Sequence, residues 1–569
     1  MKKILLALVL IHFLATSVFA GNILYVDTPP AESGSDWDGT NGHSYTGAPG
    51  AGTGYGTVNA ALDAMSSGDD IYLRGGTYTE TGSANEAFEI HVDGSSSDWC
   101  SIQSYPGEWA ILDADRARAA TIGQLGYREL WDGSPNQYII EYWIFERLGI
   151  TGATNCGMWL NRGPYEIRYC YIYDNYAADG GDNPGGIEIT LPKDSTIEFN
   201  VFSGNGSTSV SNNSTQIKFS CDQAYSVGDC NKATALSDGI CDADNITTNN
   251  TVRYNYFLIG ATDRTQHAFM HKAPQIIQPR AVSASMVDAY KNYGDKIHHN
   301  IVIGDQDIQV QQDFAQVYQN IIAGGMLEIG YRISVQAYYV VAYNNYSKSI
   351  QYGHGTPYET YYFWETNDVL EQRGWAYNNI SDDYSSGFAY RDLSFRANTS
   401  SYAAWAAEQT HDLDQFYFKN NYIYRGDDVA VWDAVNGEVS LAAFESAYAG
   451  AENNYEKASS EGSDNLMTGE SGADLYTPRS AHVVSGSTTI GNGGVGGAHP
   501  YLSGVTIPSY IGPVNPDDTA WVAGVMAMDA TYFTSAVAGS EPSWIEGSAS
   551  SASSTSPRYQ GMTFRGMGQ

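Results

Sequence analysis

The chain has 569 residues, among them 60 glycines, 43 tyrosines and 18 prolines, and it carries a formal net charge of −35 at pH 7. Such a charge repels phosphate backbones, so it argues against a nucleic-acid partner, and it suits carboxylate-rich loops that hold Ca²⁺. After the first twenty residues, no stretch approaches the roughly 18 uninterrupted apolar residues that a membrane span requires. The composition therefore predicts an acidic protein without a transmembrane segment.

The first twenty residues have the features of an export signal. They read MKKILLALVLIHFLATSVFA, with two lysines, then an apolar run, then Val18-Phe19-Ala20 as a small-residue cleavage site. The apolar run is too short to span a bilayer. This order predicts a signal peptide over residues 1–20, cleaved after Ala20, and a mature protein that is secreted, held at the cell surface or periplasmic.

Short strands are predicted for most of the remaining chain. Residues 21–75 form a lead-in and cap, with a helix expected near 57–66 before the strand IYLRGGTY. Runs that alternate apolar with other residues then recur between Gly, Asn and Asp up to residue 465. This pattern is typical of an all-β protein.

An asparagine that follows a short strand recurs through this region, at intervals as short as 20 and 25 residues. A unit of that size cannot bury its own apolar face, but stacked copies bury a continuous core and pair every strand with its neighbours. Asn suits the turns because it tolerates the left-handed conformation, and stacked Asn side chains form an amide ladder. The series comprises Asn200, Asn255, Asn300, Asn320, Asn345, Asn379 and Asn421, with Cys170 in the same column.

A second series of alternating runs lies between these asparagines. Each unit therefore has at least two strands, with a turn at the Asn and loops of unequal length inserted at the turns. The architecture predicted for residues 76–465 is a right-handed parallel β-helix. The runs of the second series are 185–189, 215–219, 267–271, 307–311, 326–330, 349–353, 387–391 and 428–432.

The remaining residues divide into an exit segment and a tail. Residues 466–540 are expected to close the stack at its C-terminal end. Residues 541–569 are rich in Ser and Gly, a composition that predicts disorder.

Six cysteines occur, and an even number in an exported chain permits disulfides. Three of them share one polar, Asn-rich insertion, where at least one bridge would help to order the segment. Many pairings are possible, so none is assigned. Structural zinc is not expected, because no CxxC pair is present. The three clustered cysteines are Cys221, Cys230 and Cys241, and the others are Cys100, Cys156 and Cys170.

Several stretches resemble the secreted parallel β-helix proteins of the pectate-lyase-like superfamily. Residues 25–79 are similar to their N-terminal part, with a Gly-rich loop, a capping helix and a first strand, and IQSYPGEWAILDA at 102–114 is similar to the coil that follows. LAAFESAYAGAENNYEK at 441–457 is similar to their C-terminal exit. The resemblance covers residues 23–525 and implies the fold, but many activities share this fold.

The second series of strands carries the richest set of polar side chains. With the apolar positions inward, Glu188, Lys218, Gln309 and Glu328 point outward on successive coils. The coil QHAFMHKAPQ adds either His267 and His271 or Met270 and Lys272, because its register is ambiguous. Basic residues are scarce in the chain, yet six lie between positions 253 and 296. The candidate catalytic residues are Lys272, Lys218, His271 and Arg280, and the candidate substrate-binding residues are Glu188, Glu328, Arg332, Tyr352, His354 and Arg391.

A sheet surface with these side chains suits β-elimination on a uronic-acid polysaccharide. A cation, often Ca²⁺, neutralises the C6 carboxylate, and a Lys, Arg or Tyr abstracts the C5 proton. HKAP…KIHHN resembles the strand that bears the catalytic Lys of alginate and chondroitin lyases, which implies Lys272 as the base. The next coil of those lyases carries Arg-His, whereas Gln311-Gln312 stand here, so no acid and no metal ligand are assigned.

Two other functions stay open on the sequence. A non-catalytic surface protein, an adhesin or a glycan-binding β-helix, agrees with the incomplete lyase motifs and the acidic charge. GDDVAV at 426–431 resembles a motif of polygalacturonase-type hydrolases, but GHG at 353–355 precedes it, whereas it follows in that family. His298-His299 suggests a metal site, but neighbours on a strand point to opposite faces, so we expect this pair to be scaffold.

Overall fold

The structure is a computed structural model that describes part of the chain. The described ranges are 21–27, 43–45, 52–124, 140–177, 185–190, 192–207, 214–220, 249–258, 267–272, 293–304, 306–310, 312, 314–329, 340–353, 374–382, 393–396, 416–424, 431–433, 437–447, 450–456, 467–468, 477–478, 483–484, 488–489, 496–498, 505–514 and 520–528.

Three faces of parallel strands form the body of the protein, and each coil adds one strand to each face. Face 1 is a 15-stranded sheet, parallel except for β2 at its edge. Its strands are β1 (Ile23–Val26), β2 (His43–Tyr45), β3 (Gly52–Tyr55), β4 (Asp70–Leu73), β7 (Cys100–Ser104), β10 (Trp143–Glu146), β13 (Tyr165–Arg168), β17 (Thr196–Glu198), β21 (Thr251–Arg253), β24 (Lys296–His298), β27 (Gln316–Tyr318), β29 (Val341–Tyr343), β31 (Gly374–Tyr377), β34 (Phe416–Lys419) and β38 (Ala451–Glu452).

Face 2 follows face 1 along each coil, and short strands make it up. They are β5 (Gly76–Thr79), β8 (Ala110–Asp113), β11 (Leu148–Thr151), β14 (Tyr171–Tyr173), β18 (Val201–Ser203), β22 (Tyr256–Leu258), β25 (Ile301–Ile303), β32 (Ile380–Asp382), β35 (Tyr422–Tyr424) and β39 (Tyr455–Glu456).

Face 3 completes the coil and carries the second series of runs. Its strands are β6 (Glu86–Ile90), β9 (Ala120–Gln124), β12 (Cys156–Asn161), β16 (Gly185–Thr190), β20 (Thr215–Ser220), β23 (His267–Lys272), β26 (Asp307–Val310), β28 (Ile321–Ile329), β30 (Tyr346–Gly353), β33 (Leu393–Arg396), β36 (Val431–Asp433) and the antiparallel edge strand β37 (Gly437–Val439).

Two long strands join faces 2 and 3 into one sheet of 22 strands. The first part of β28 pairs with β25 on face 2, and its last part pairs with β26 on face 3. Gly325 lies at this bend, where a Cβ would come within 1.8 Å of the Gln306 carbonyl oxygen. Only glycine fits so close an approach, and the bend then delivers Glu328 to face 3.

The predicted parallel β-helix is therefore confirmed, with three strands per coil rather than the minimum of two. The predicted run 387–391 lies outside the described residues and stays a prediction, and the described strand that pairs with β30 is β33, which begins at Leu393.

Stacked asparagines hold the corner between faces 1 and 2, as predicted. Asn300 shows the pattern: its Nδ2 donates to Asn320 Oδ1 at 3.0 Å and to the Val252 carbonyl at 2.9 Å. Its Oδ1 accepts from the backbone N–H and the Nδ2 of Asn255. The left-handed residue is the one before this Asn, such as His299 with φ 55°, so the turn lies one residue earlier than predicted.

The other two corners carry shorter polar ladders. Asn175 donates to Asn205 Oδ1 at 3.0 Å at the corner between faces 2 and 3. At the corner between faces 3 and 1, Asn250 donates to Asp295 Oδ1 at 2.9 Å, and the Asp295 backbone N–H donates to Gln312 Oε1 at 2.6 Å. The buried side chains that form these three ladders are thus paired along the stack, as burial requires.

Two short helices lie at the ends of the core. Helix α1 (Val58–Ala64), capped by Thr57, buries Val58 and Leu62 against the first coils and confirms the predicted capping helix. Helix α2 (Leu441–Ala447) covers the last coils with Phe444, whose ring centroid lies 6.0 Å from that of Phe418.

The described part of the predicted exit segment packs along the side of the coils. Helix α3 (Ala520–Met526) places Trp521 against His299, with ring centroids 4.9 Å apart, and Asn344 Nδ2 donates to the Tyr510 carbonyl. Earlier in the segment the structure describes β40 (Met467–Thr468), β41 (Thr477–Pro478), β42 (Val483–Val484), β43 (Thr488–Thr489), β44 (Gly497–Ala498) and β45 (Thr506–Ile507), and one further pair, β15 (Tyr176–Ala177) with β19 (Gly206–Ser207), lies beside the coils.

Three cysteines are described, and all three are free, buried thiols: Cys100, Cys156 and Cys170. Burial raises the pKa of each. The three clustered cysteines, the signal peptide and the Ser/Gly-rich tail lie outside the described residues, so those predictions stay predictions. No helix within the described ranges is long and apolar enough to cross a membrane.

Candidate functional site

One column of polar side chains lies on the outer side of face 3. The strand register aligns Glu188, Lys218, Met270, Gln309 and Glu328 on five successive coils. Partners in neighbouring strands are about 4.8 Å apart, so these side chains form a continuous row, named the outer column below. The register resolves the ambiguous coil, because Met270 rather than His271 lies in the column.

The first two polar members form an ion pair. Lys218 Nζ lies 2.6 Å from Glu188 Oε1, and the two residues are only 1 % and 4 % exposed. Inward neighbours on the same strands, Ile187 and Ile217, pack in the hydrophobic core. Removing charges from water is costly, so this pair depends on its close geometry.

The other end of the column contains a second polar cluster. Gln309 Nε2 donates to Glu328 Oε2 at 2.7 Å, and the Met326 backbone N–H donates to Asp307 Oδ1 at 2.8 Å. His267 Nδ1 lies 3.9 Å from Asp307 Oδ2. One ligand atom each from His267, Asp307 and Glu328 lies within 4.8 Å of the other two, so these residues form a candidate metal centre.

A β-bulge brings His267 to this cluster. His267 pairs with Asp307, but Phe269, two residues later, pairs with Ile308, the next residue of β26. The extra residue lets His267 and Met270 both lie on the outer side, although they are three positions apart. Bulges are frequent next to functional sites because they redirect side chains in this way.

His271 lies inside the coil. It is fully buried between Phe219 and Phe269, and its Nε2 is 3.1 Å from Asp295 Oδ2, the acidic member of the third corner ladder. Gln312, the second residue of the Gln311-Gln312 pair, is also fully buried and completes that ladder. The described contacts of both residues are those of scaffold.

The remaining predicted residues are only partly described. Lys272 ends β23 and pairs with Ser220, and Tyr352 pairs with Ile329; for both, only the backbone position is described. The other four candidates, Arg280, Arg332, His354 and Arg391, lie outside the described residues. Gln311 and the GDDVAV motif up to residue 430 lie outside them as well. Their assignments stay predictions.

The basic residues that cluster in the sequence separate in space. Arg253 and Lys296 lie on face 1, where Arg253 Nε is 2.7 Å from Glu198 Oε2, whereas Lys272 lies on face 3. These three basic residues, which are close in the sequence, therefore lie on two different faces. A coil turns through three faces between them, which spacing along the chain does not show.

The adjacent histidines meet, against our expectation. Their Nδ1 atoms are 2.7 Å apart, because His299 has a left-handed φ of 55° and is at a corner rather than on the strand. Burial lowers the pKa of His298 well below its ordinary value and that of His299 to about 3. Both rings pack among Tyr254, Tyr318 and Trp521, so the pair is scaffold, as predicted.

Asp307 was not among the predicted site residues. Its signal is weak, since GDQDIQV reads as a turn followed by a strand. His267 was one of two alternatives, and the choice depended on the bulge. Both become visible as site residues only when strands from three coils are aligned.

Together, the pairing of successive coils and the outer column define a three-faced parallel β-helix protein with a buried polar site on face 3. No profile of a protein family matches the chain, and no curated protein matches it.

Solved structures with the same kind of fold show a distant likeness. Pectate lyase Pel9A is 13% identical over 87% of this chain and 96% of its own, with a TM-score of 0.33. A PL6 family polysaccharide lyase from Pseudopedobacter saltans is 10% identical over 71% and 91%, also with a TM-score of 0.33. An alginate lyase from Paenibacillus sp. is 14% identical over 52% and 91%, with a TM-score of 0.25.

Proposed function

We propose that this protein is an exported carbohydrate-active protein that cleaves a uronic-acid polysaccharide by β-elimination at the outer column of face 3. The observation that carries the proposal is the Glu188–Lys218 pair at 2.6 Å, on the coil next to the strand that bears Lys272. β-Elimination needs a cation that neutralises the substrate carboxylate and a base that abstracts a proton. Two lysines on neighbouring strands can supply these two groups.

The two lysines take different roles in this proposal. Lys218 is a cation fixed by Glu188, so it suits neutralisation of the C6 carboxylate rather than proton abstraction. Lys272, as a neutral amine, takes the C5 proton. The electrons of that C–H bond form the C4–C5 double bond, the bond from C4 to the bridging oxygen breaks, and water protonates the leaving oxygen.

Calcium fits the candidate metal centre poorly. Ca²⁺ takes six to eight oxygen ligands, whereas this cluster offers an imidazole nitrogen beside two carboxylates. No step of the proposed reaction therefore passes through a bound Ca²⁺.

Product formation tests the proposal directly. The purified protein would be incubated with alginate, polygalacturonate and chondroitin, and the ultraviolet absorbance of the new conjugated double bond would be followed. We expect Lys272→Ala to lower the rate by about 10²–10⁴-fold, as for loss of a general base. Lys218→Ala is expected to lower it by about 10²–10³-fold, as for loss of an electrostatic contact.

A matched control is Lys419→Ala, which removes the lysine of the Lys419–Glu452 pair on face 1, where the two charges are 3.1 Å apart. Its rate should equal that of the unmodified protein. Absence of unsaturated product from every polysaccharide would reject the proposal, and so would a folded Lys272→Ala variant with full activity.

A second candidate function is glycan binding without turnover. Burial of the Glu188–Lys218 pair favours it, because a polymer must reach a residue that acts on it. This candidate predicts retention of the protein on an immobilised glycan with no change in the glycan's chain length. Release of shortened oligosaccharides from the bound glycan would exclude it.

A further inference from the structure

The candidate metal centre consists of His267, Asp307 and Glu328, contributed by three successive coils. These residues are 3 %, 8 % and 6 % exposed, so the cluster is buried. We propose that it binds a first-row transition dication of the Zn²⁺ type, and that it discriminates against Ca²⁺. This inference is independent of the proposed polysaccharide activity, because metal binding is measured without a substrate.

Charge supports a cation at this position. Asp307 and Glu328 present carboxylate oxygens within 4.8 Å of each other in a buried place, where like charges repel strongly. Gln309 Nε2 donates to Glu328, and the Met326 N–H donates to Asp307. A dication bound between the two carboxylates offsets the repulsion.

Size is compatible with one ion. When three atoms all lie within 4.8 Å of one another, some point lies within about 2.8 Å of each, from 4.8 Å divided by √3. Zinc–nitrogen and zinc–carboxylate bonds are about 2.0–2.2 Å long, so the three ligand atoms need to move inward by at most about 0.6–0.8 Å to contact the ion.

The nitrogen ligand sets the class of metal. Imidazole suits Zn²⁺ and its transition-metal neighbours, whereas Ca²⁺ and Mg²⁺ prefer oxygen ligands alone. One imidazole and two carboxylates supply three protein ligands, the number that an open zinc site has, and all three are ligand types that zinc takes.

The surrounding structure holds the ligands in place. Gln309 orients the Glu328 carboxylate, the Met326 N–H orients Asp307, and the bulge at residues 267–269 turns His267 outward. Such outer contacts are what fix ligand geometry in metal sites. Because the three ligands come from separate coils, only the folded chain brings them together.

Cobalt titration tests the inference, because bound Co²⁺ has a visible spectrum. The full chain, without a polyhistidine tag and stripped by EDTA, would be titrated with Co²⁺ and then challenged with Zn²⁺ or Ca²⁺. We expect one Co²⁺ per chain, displaced by one equivalent of Zn²⁺ but not by about a 100-fold excess of Ca²⁺.

Ligand variants locate the site. Loss of an outer contact lowers metal affinity by about 10–100-fold, so we expect His267→Ala and Glu328→Gln to weaken Co²⁺ binding by at least about 100-fold. The matched control is His91→Ala, which removes the histidine of a His–Asp pair, His91 with Asp63 at 4.0 Å, that belongs to no three-ligand group among the described residues. Circular dichroism would verify that each variant is folded.

Three results would overturn the inference: no Co²⁺ spectrum with the unmodified protein, displacement of Co²⁺ by Ca²⁺, or unchanged binding in both folded ligand variants. If the protein cleaves no polysaccharide but binds Co²⁺ as expected, the proposed function is rejected and the metal site stands. The two proposals can therefore be rejected independently of each other.

Discussion

Two polar columns run along this protein, and they differ in what they repeat. The Asn ladder between faces 1 and 2 places the same side chain on successive coils, and each amide donates to and accepts from its neighbours. The outer column of face 3 places Glu, Lys, Met, Gln and Glu on coils at the same spacing. The first column is uniform and the second is not.

The difference shows what each column contributes. An amide has both a donor and an acceptor, so each Asn side chain in a row can hydrogen-bond to the next Asn and to the turn backbone. This holds for a row of any number of coils. Charged groups need unlike partners, so the outer column has a Glu188–Lys218 pair at one end, and at the other end Glu328 lies beside His267 and Asp307. We therefore expect the repeated asparagines of the ladder to contribute mainly to stability. The non-repeating side chains of face 3 are expected to contribute mainly to function.

The largest effect is expected in the ladder. Replacing Asn300 and Asn320 together by Ala leaves several buried backbone groups without partners, among them the Val252 and Ile297 carbonyls. We expect a loss of at least about 5 kcal/mol in the free energy of unfolding, measured with denaturant. Asn22→Ala, at an exposed position, should cost less than about 1 kcal/mol. A small loss in the double variant would contradict a supporting role for the ladder.

A buried ion pair should behave differently when both partners are removed. Lys218→Met alone leaves the Glu188 carboxylate buried without its cation, and we expect a loss of about 3–5 kcal/mol. Lys218→Met with Glu188→Leu should recover most of that loss, because two apolar side chains fill the same space. A double variant as unstable as the single one would mean that the pair stabilises the fold by itself.

The histidine pair predicts a pH dependence. Burial depresses the folded pKa of His299 to about 3, below the unfolded value of about 6.5, so the unfolded state binds protons that the folded state does not. Stability is therefore lost as the pH falls below about 6.5, by about 2 kcal/mol at pH 5 for one such group.

His299→Phe should reduce that slope. Phe199 already occupies the equivalent corner position with φ 56°, so the backbone accepts a phenyl ring there. Thermal unfolding at pH 7 and pH 5 would be compared for both proteins. If the loss of stability between pH 7 and pH 5 is the same in both proteins, the pKa of His299 is not depressed in the folded state.

The smallest effect is expected where the ladder ends. Glu445 Oε1 accepts from the backbone N–H of Asn454 at 2.7 Å and from its Nδ2 at 2.9 Å. Glu445→Ala should cost about 1 kcal/mol, and Glu445→Gln less, because the amide keeps an acceptor oxygen. Equal losses in the two variants would indicate that the charge, not the acceptor, closes the ladder.

Much of the fold was predictable because its causes are local. The Asn of each unit, the alternation of Gly185–Thr190 and the Thr57-capped helix are each readable within a few residues. The strands of face 2 escaped prediction as a separate face, since runs of three residues such as Val201–Ser203 are too short for a periodic signal.

The site was predictable only in part. The outward positions of Glu188, Lys218 and Glu328 were predicted correctly because their inward neighbours, such as Ile187 and Ile217, fix the alternation. The sequence could not decide whether His267 and His271 or Met270 and Lys272 point outward, because a bulge shifts the register of that coil. The contact between the His298 and His299 rings was not predicted either. It depends on a corner turn at His299, which the alternation of a strand does not reveal.

The sequence by itself determined the stack: a short unit with a turn asparagine must bury its apolar face against copies of itself, and that requirement is present in every unit. The tertiary structure decided which residues meet outside the core. Glu188 and Lys218 are 30 positions apart, and His267, Asp307 and Glu328 come from three coils at unequal spacings along the chain. Contacts between coils depend on register and bulges, which pairing in three dimensions fixes and local pattern does not.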